Sequence, residues 1–150
     1  MGHSYTNILL HVVFGTKGRL ARIEAGWRQR LYEYMAGVAK TEFGHALKIG
    51  GTGDHVHALL SMNNDVSISD AMRKWKCLSS GWVHETFSDA SAFAWQRGYA
   101  AFSVSRSNAS GVIRYIDGQE AHHRKQTFQE EFRAFLERHG VRYDPGIILA

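Results

Sequence analysis

The chain of 150 residues contains one cysteine, Cys77, and one proline, Pro145. A single cysteine excludes an internal disulfide and a zinc site built from several cysteines, so we expect a reducing compartment. Long apolar runs are also lacking. The longest, residues 8–14, is interrupted by His11 and is too short to span a bilayer. Because no basic leader precedes it, we expect no signal peptide, no membrane partner and a cytoplasmic location.

The remaining composition is typical of one folded domain with a basic surface. Hydrophobic residues make up 44% of the chain and charged residues 21%, which argues against an intrinsically disordered protein. The length suits one hydrophobic core and no repeat or linker divides it, so we predict a single domain over residues 1–150. The net charge of +4 favours a polyanionic partner without identifying it.

Hydrophobic periodicity predicts an α+β fold. Apolar residues at helical spacing from Ile23 to Val38 predict a first helix that ends at Gly44, and a second helix is predicted with Ser67 as its N-cap. This second helix is expected to turn inward Ile68, Met72, Trp75 and Trp82. Strands are predicted at residues 5–16, 46–50, 55–62 and 100–105. The resulting order, βαββαβ, matches the ferredoxin-like (RRM-like) antiparallel sheet.

Two additional C-terminal helices are predicted after the last strand, over residues 108–122 and 128–139. Gly118 lies inside the first of them and weakens it by roughly 1 kcal/mol relative to alanine. The second is expected to begin with a capping box, in which Thr127 is the N-cap and Glu130 reaches back to it. Gly140 is expected to end it.

The strongest local motif is Asp54-His55-Val56-His57 on the third predicted strand. Alternate side chains of a strand share a face, so His55 and His57 project together while Val56 packs behind them. Two imidazoles so placed can converge on one cation. A hydrolytic zinc motif of the His-x-His-x-Asp-His kind is excluded, because leucines occupy its last two positions. An isolated His-x-His motif is common, however, and by itself it favours two exposed or hydrogen-bonded histidines that bind no metal.

A second motif lies on the first C-terminal helix, where Tyr115, Gln119 and His122 share one face at spacings of four and three. A phenol can act as a nucleophile, but its reference pKa near 10 means that it needs help from a metal, a base or a positive charge. Gln119 offers a carbonyl oxygen as a metal ligand. The same residues would also suit an ordinary half-buried helix face.

Basic residues near these motifs, together with one serine, are candidates for neutralising phosphates of a nucleic acid, although a solvated helix face is the commoner explanation for any one of them. Three residues of this set form a stripe on the second helix and four surround the tyrosine helix. The set consists of Arg73, Lys76, Ser80, Arg106, Arg114, Arg124 and Lys125.

Together these motifs resemble those of the HUH-type single-tyrosine transposases of insertion-sequence 200/605-type elements and their repeat-associated relatives. The resemblance extends from His11 to Asp144, nearly the whole chain. It rests on the order and separation of several short anchors: residues 11–17, residues 54–57, Lys76 with Ser79-Ser80, residues 95–99, residues 102–105, Tyr115-Ile116, Gln119 and His122-His123.

The resemblance implies that His55, His57 and Gln119 hold Mg²⁺ or Mn²⁺ and that Tyr115 attacks single-stranded DNA beside a hairpin. This attack leaves a 5′-phosphotyrosine link and a free 3′-OH, and a matched 3′-OH can then attack the link, so cutting and rejoining need no ATP. The resemblance also implies a homodimer in which the tyrosine helix can serve the histidines of the other subunit, in a bacterial or archaeal cytoplasm and on the nucleoid when bound to DNA.

Two alternatives remain open at this point. A non-catalytic binder of single-stranded nucleic acid on the same topology would need stacking aromatic residues on the sheet face, where His55 and His57 are expected instead. A replication or conjugation nicking enzyme could use the same histidine pair, but such chains are usually longer and carry helicase or second-tyrosine regions.

Overall fold

The computed structural model of the protein describes residues 2–146 and contains one four-stranded antiparallel sheet with helices on both faces. The strands are β1 (Leu9–Gly15), β2 (Gly44–Gly51), β3 (His55–Met62) and β4 (Ala100–Val104); the helices are α1 (Arg28–Glu42), α2 (Ile68–Thr86), α3 (Ala109–Asp117), α4 (Gln119–His122) and α5 (Phe128–Arg138). The strand order β2-β3-β1-β4 confirms the predicted ferredoxin-like arrangement. Among the described residues, no helix is long and apolar enough to cross a membrane.

The alternation of side chains along the two central strands, β1 and β3, separates two layers. Val12 of β1 and Val56 of β3 belong to the main core, which α1 and α2 cover. The opposite face of β3 carries His55 and His57, and α3, α4 and α5 lie over it. Val56 therefore packs behind the two histidines, as the strand periodicity predicts.

Several predicted boundaries were wrong by a few residues. The first strand begins at Leu9, because pairing with β3 and β4 starts there, and Tyr5 and Ile8 are exposed. The first helix begins only at Arg28, although Ile23 before it is buried. On α2, Ser67 is confirmed as the N-cap through a hydrogen bond from the amide of Asp70. The predicted inward direction was wrong for Ile68, which is exposed, and only partly right for Trp82, which is half-buried.

The predicted helix over residues 108–122 is in fact two helices, since α3 ends at Asp117 and α4 begins at Gln119. Gly118 between them has a non-helical conformation, and its amide donates to the carbonyls of Arg114 and Tyr115. Two ion pairs hold this junction to the rest of the fold, one from Lys48 to Asp117 and one from Arg28 to Glu120. The glycine thus divides the helix that carries the two predicted site residues.

Helix α5 follows its predicted limits closely. Its N-cap is Thr127, whose hydroxyl accepts from the amide of Glu130 and donates to the carboxylate of Glu130. The reciprocal bond to the backbone that a full capping box would have is replaced by this side-chain contact. Gly140 ends the helix with a φ of 67°, and the next amide, that of Val141, returns to the carbonyl of Leu136.

Two glycines allow these C-terminal helices to approach the sheet closely. A Cβ at Gly50 of β2 would lie 2.7 Å from the carbonyl oxygen of Ile116 in α3. A Cβ at Gly15 of β1 would lie 2.7 Å from the ring of Phe128 at the start of α5. Both distances are too short for a real side chain, so the absence of a Cβ determines how near Tyr115 and α5 lie to the histidines of β3.

Candidate active site

His55 and His57 are completely buried on the central strand β3, and each has its Nδ1 held by a neighbour. Nδ1 of His55 lies 2.8 Å from Oδ1 of Asp54, and Nδ1 of His57 lies 2.8 Å from Nε2 of His11 on β1. Burial would raise the pKa of Asp54, but the hydrogen bond from His55 outweighs this effect and lowers the pKa. The carboxyl is therefore ionised and accepts the hydrogen bond. Both histidines therefore direct Nε2 away from these partners and towards the C-terminal helices.

Glu131 of α5 lies at the centre of this arrangement, where Oε1 meets three histidines. It is 2.9 Å from Nε2 of His57, 3.0 Å from Nε2 of His123 and 3.6 Å from Nε2 of His55. Burial by itself would raise the pKa of Glu131, but the hydrogen bonds from His123 and His57 outweigh it and hold the pKa well below its usual range. A charged carboxylate thus lies among three imidazoles.

Gln119 directs its carbonyl oxygen at His55, with Oε1 at 2.9 Å from Nε2. The orientation of this amide follows from its other contacts, since Nε2 of Gln119 donates to Oε2 of Glu131 at 3.2 Å. His55 already donates through Nδ1 to Asp54, so a neutral His55 presents the lone pair of Nε2 to the lone pair of Gln119 Oε1. Either a second proton on His55 or a cation shared by the two atoms satisfies this contact.

Burial strongly disfavours the charged forms of the paired histidines His57 and His11. Desolvation, together with the neighbouring His57, lowers the pKa of His11 to about 3. Desolvation lowers the pKa of His57 to about 4, against the opposing effect of Glu131. Both rings are therefore neutral at pH 7, the form in which imidazole binds metals. Because Nε2 of His57 donates to Glu131, its Nδ1 accepts the proton carried by Nε2 of His11.

Tyr115 reaches the same cluster from α3. Its hydroxyl donates to Oε2 of Glu131 and lies 3.2 Å from Nε2 of His122, and its ring centroid is 5.7 Å from that of His57. Burial, followed by the hydrogen bond to Glu131, raises the pKa of Tyr115, so the phenol is protonated at neutral pH. The tyrosine and both histidines meet within one chain, and a shared site across a dimer stays a prediction.

The donor set fits a divalent cation. One ligand atom from each of His55, His57, His123 and Glu131 lies within 4.8 Å of all the others. Adjacent ligands about 2.1 Å from one ion lie roughly 3 Å apart, which is the range of the contacts between Glu131 and the histidines. Nitrogen mixed with carboxylate and amide oxygen suits Mn²⁺ and related ions, and the oxygens suit Mg²⁺.

The predicted phosphate-binding residues differ in what they are free to contact. Lys76 is engaged by the protein itself, because its ammonium donates to the carbonyls of Gln96, Arg97 and Gly98. Arg73 is exposed and lies 3.6 Å from Asp70, and Ser80 is half-buried beside Lys76. The remaining four predicted residues are exposed and lie around the tyrosine helices: Arg106, Arg114, Arg124 and Lys125.

Comparison with known proteins identifies the family of the chain. The family model described as "Transposase IS200 like" matches residues 4–119, more than three quarters of the chain. The chain belongs to the IS200-like transposase family. A search against curated proteins finds no match. The matched region of this family member includes His55, His57, Tyr115 and Gln119 but stops before His123 and Glu131.

Two solved structures share the fold of this IS200-like family member. One, from Deinococcus radiodurans R1 and described as a candidate transposase, has a TM-score of 0.62 at 20% identity and covers 79% of this chain and 96% of its own. The other, a REP-associated tyrosine transposase bound to a REP hairpin, has a TM-score of 0.60 at 13% identity and covers 82% of this chain and 73% of its own. At these identities the likeness establishes the fold.

Sequence reasoning missed three residues that the structure brings to the site. His11 was noted only as an interruption of the apolar run and as part of a resembling motif, and His123 only as part of such a motif. Glu131 was not singled out at all. One signal was available, since a glutamate within the buried stripe of α5 is unusual unless it is paired. One partner of Glu131, His57, is 74 residues away in the sequence, and no local pattern identifies such a partner.

Proposed function

We propose that this chain is a metal-dependent transposase that cuts single-stranded DNA through a covalent 5′-phosphotyrosine link at Tyr115 and then rejoins it. The observation that carries the proposal is the convergence of Tyr115, His57 and His123 on the carboxylate of Glu131. This carboxylate connects a nucleophile to a set of metal ligands. A binding module without catalysis would have no use for such a buried arrangement.

His55 and His57 would hold the metal through Nε2, with Gln119 contributing Oε1 and Glu131 a carboxylate oxygen. When bound, Mg²⁺ or Mn²⁺ supplies polarisation of the scissile phosphate and offsets the charge on the attacking and leaving oxygens. The contact between Nε2 of His55 and Oε1 of Gln119 is consistent with this assignment, because a cation shared by the two atoms is one of the two ways to satisfy the facing lone pairs.

The protein positions the nucleophile and its proton. Glu131 orients the Tyr115 hydroxyl by accepting its hydrogen bond, and it is the nearest acceptor when the proton leaves. The phenolic oxygen then forms a bond to phosphorus while the bond from phosphorus to O3′ breaks. The leaving O3′ takes a proton from water and becomes a free 3′-OH. Because the link is itself a phosphodiester, a second 3′-OH can displace Tyr115 and restore a DNA strand.

The DNA partner is proposed to be a single strand next to a hairpin. The basic surface around α3 and α4 supports a nucleic acid, and a REP hairpin is the ligand of one structural neighbour. The alternative, a non-catalytic binder of single-stranded nucleic acid, would need an exposed sheet face with stacking aromatic residues. In this structure α3, α4 and α5 cover that face. The proposal also includes that the protein is a homodimer and that it acts on DNA in the cytoplasm.

The decisive experiment incubates the protein with Mn²⁺ and a labelled single strand that carries an end of the chain's own genetic element. We expect an adduct that resists denaturation, forms only with divalent metal and carries the fragment on the 3′ side of the cut, linked to the protein through its 5′ phosphate. The matched control replaces Mn²⁺ with EDTA. Efficient adduct formation in EDTA would refute the metal role, and the absence of any adduct with strands from both element ends would refute the proposed function.

A further inference from the structure

A groove beside Tyr115 is separate from the proposed metal ligands. It has a volume of about 490 Å³ and is bounded by β4, the start of α3 and the end of α5; we call it the β4–α3 groove. Tyr115 and His11 line it and also contact the metal-binding cluster, through Glu131 and His57 respectively. The groove is therefore continuous with the place where the nucleophile lies.

The charge of the β4–α3 groove is positive and uncompensated. Arg114 and Arg138 line it, and no aspartate or glutamate does so within residues 2–146. Neither arginine has a carboxylate within 4.0 Å in this range. In contrast, ion pairs engage other basic residues of the surface: Arg28, Lys48, Arg73 and Lys74. Two free guanidinium groups in one groove are suited to phosphates, which they can bind through two parallel hydrogen bonds.

Flat rings accompany these charges. The ring of His139 stacks on Phe102 with centroids 4.3 Å apart and planes inclined by 16°. The guanidinium of Arg138 lies 5.3 Å from the ring centroid of Phe135. Short polar side chains complete the wall: Ser103, Ser107, Asn108 and Ser110. Cationic groups interleaved with aromatic faces are typical of sites that follow an unpaired strand, because its bases can stack while its phosphates are neutralised.

We propose that the β4–α3 groove binds the unpaired nucleotides that flank the scissile phosphate, with their phosphates on Arg114 and Arg138 and a base against His139. This inference rests on the proposed function, since it explains how a single strand reaches Tyr115. A second basic groove, beside α2, is less suited to this role, because carbonyl groups of the protein already engage Lys76 and the carboxylate of Asp70 lies 3.6 Å from Arg73.

The test measures binding apart from cleavage, in EDTA, with a fluorescent oligothymidylate of about eight nucleotides as the probe. We expect the double variant Arg114→Gln, Arg138→Gln to weaken binding roughly tenfold or more at low salt. Each lost phosphate contact also lowers the slope of log affinity against log salt by about 0.7 for a single strand, so the slope should fall by about 1.4. The matched control is Arg133→Gln, an exposed arginine of α5 that does not line the groove.

Unchanged affinity and slope in the double variant would overturn the groove assignment, as would equal binding of a duplex of the same length. If the double variant fails to fold, photocrosslinking of 5-iodouracil oligonucleotides to the unmodified protein provides a second test. We expect crosslinks at Tyr115 or His139, and crosslinks confined to α2 would contradict the proposal. Failure of the proposed function is recognised separately, because it removes the covalent adduct of the unmodified protein whatever the affinity for oligothymidylate.

Discussion

Oε1 of Glu131 lies 2.9 Å from Nε2 of His57, and Oε2 of the same carboxylate accepts the hydroxyl of Tyr115. One buried side chain of α5 thereby connects the central strand to the tyrosine helix. The sequence predicted the limits and the N-cap of this helix but did not single out Glu131. This relationship underlies each of the following predictions about the nucleophile, the metal and the stability of the site.

Replacing Tyr115 by phenylalanine should abolish the covalent DNA adduct while the fold and DNA binding persist. The ring keeps its packing, and the loss of one hydrogen bond to Glu131 should lower the free energy of unfolding by only about 1 kcal/mol. Denaturing gel electrophoresis and mass spectrometry measure the adduct and its position. Tyr143→Phe is the control, because that tyrosine bonds to Glu137 away from the histidines. An adduct mapped to Tyr143 or Tyr99 would disprove the assignment.

Metal binding should depend on Glu131 as well as on the histidines. We expect Glu131→Gln, His55→Ala and His57→Ala each to weaken Mn²⁺ binding roughly 10- to 100-fold, and Gln119→Ala to have a milder effect. Calorimetric titration with Mn²⁺ measures the affinity.

Glu130→Gln is the matched control for Glu131→Gln. Glu130 is the exposed neighbour, and glutamine can replace it at this position of a helix start. A Glu131→Gln variant that binds Mn²⁺ like the unmodified protein would exclude the carboxylate from the metal site.

Stability without metal should fall as the pH is lowered from 7 to 5. Folding lowers the pKa of His57 to about 4 and that of His11 to about 3, chiefly through burial. Between these values and the unfolded value near 6.5, the unfolded chain binds protons that the folded chain does not, so acid favours unfolding. The net loss should be on the order of 1 kcal/mol or more by pH 5, because His123, whose pKa is raised against the effect of burial by Glu131, takes up protons in the folded chain and opposes part of the loss.

Thermal unfolding in EDTA across this pH range measures the effect. A His57→Gln variant should show a weaker dependence on pH, since glutamine does not titrate. His45→Gln is the control, because His45 is exposed on β2. Equal melting temperatures at pH 7 and pH 5 in the unmodified protein would contradict the buried neutral histidines.

Gly50→Ala should slow adduct formation, although Gly50 has no side chain and is not one of the proposed site residues. The added Cβ would meet the carbonyl of Ile116 at 2.7 Å, so α3 must move by a few tenths of an ångström and carry Tyr115 with it. We expect a roughly tenfold lower rate, since a misplacement of about 1 Å can cost about a hundredfold. Gly37→Ala in α1 is the control, because a Cβ there meets nothing within 4 Å. An unchanged rate would show that α3 tolerates the shift.

Mixing Tyr115→Phe protein with a His55→Ala, His57→Ala double variant tests which subunit provides the tyrosine. The tyrosine and histidines meet within one chain, so we expect each site in a mixed dimer to keep one defect and cleavage to stay absent. Reappearance of cleavage after subunit exchange would instead demonstrate a site shared across a dimer. Light scattering with DNA present tests the homodimer itself, and a monomer at micromolar concentration would exclude it.

The sequence by itself determined the sheet and the direction of its histidines. Periods of two along the strands and near 3.6 along the helices are local properties, and they predicted the βαββαβ order and the common face of His55 and His57. They also predicted Ser67 and Thr127 as N-caps, since a cap depends on residues within one turn. At Gly118 the sequence predicted a weakened helix, but it did not predict the division into two helices.

The tertiary structure alone decided which distant residues complete the site. Glu131 and His11 approach His57 from α5 and β1, over separations of 74 and 46 residues. The tertiary structure also decided that Lys76 bonds to carbonyl groups of its own chain, whereas Arg138 lines the groove beside Tyr115. The physical reason is that a buried ionisable group must find its partners wherever packing brings the chain together, and packing depends on contacts that no short stretch of sequence contains.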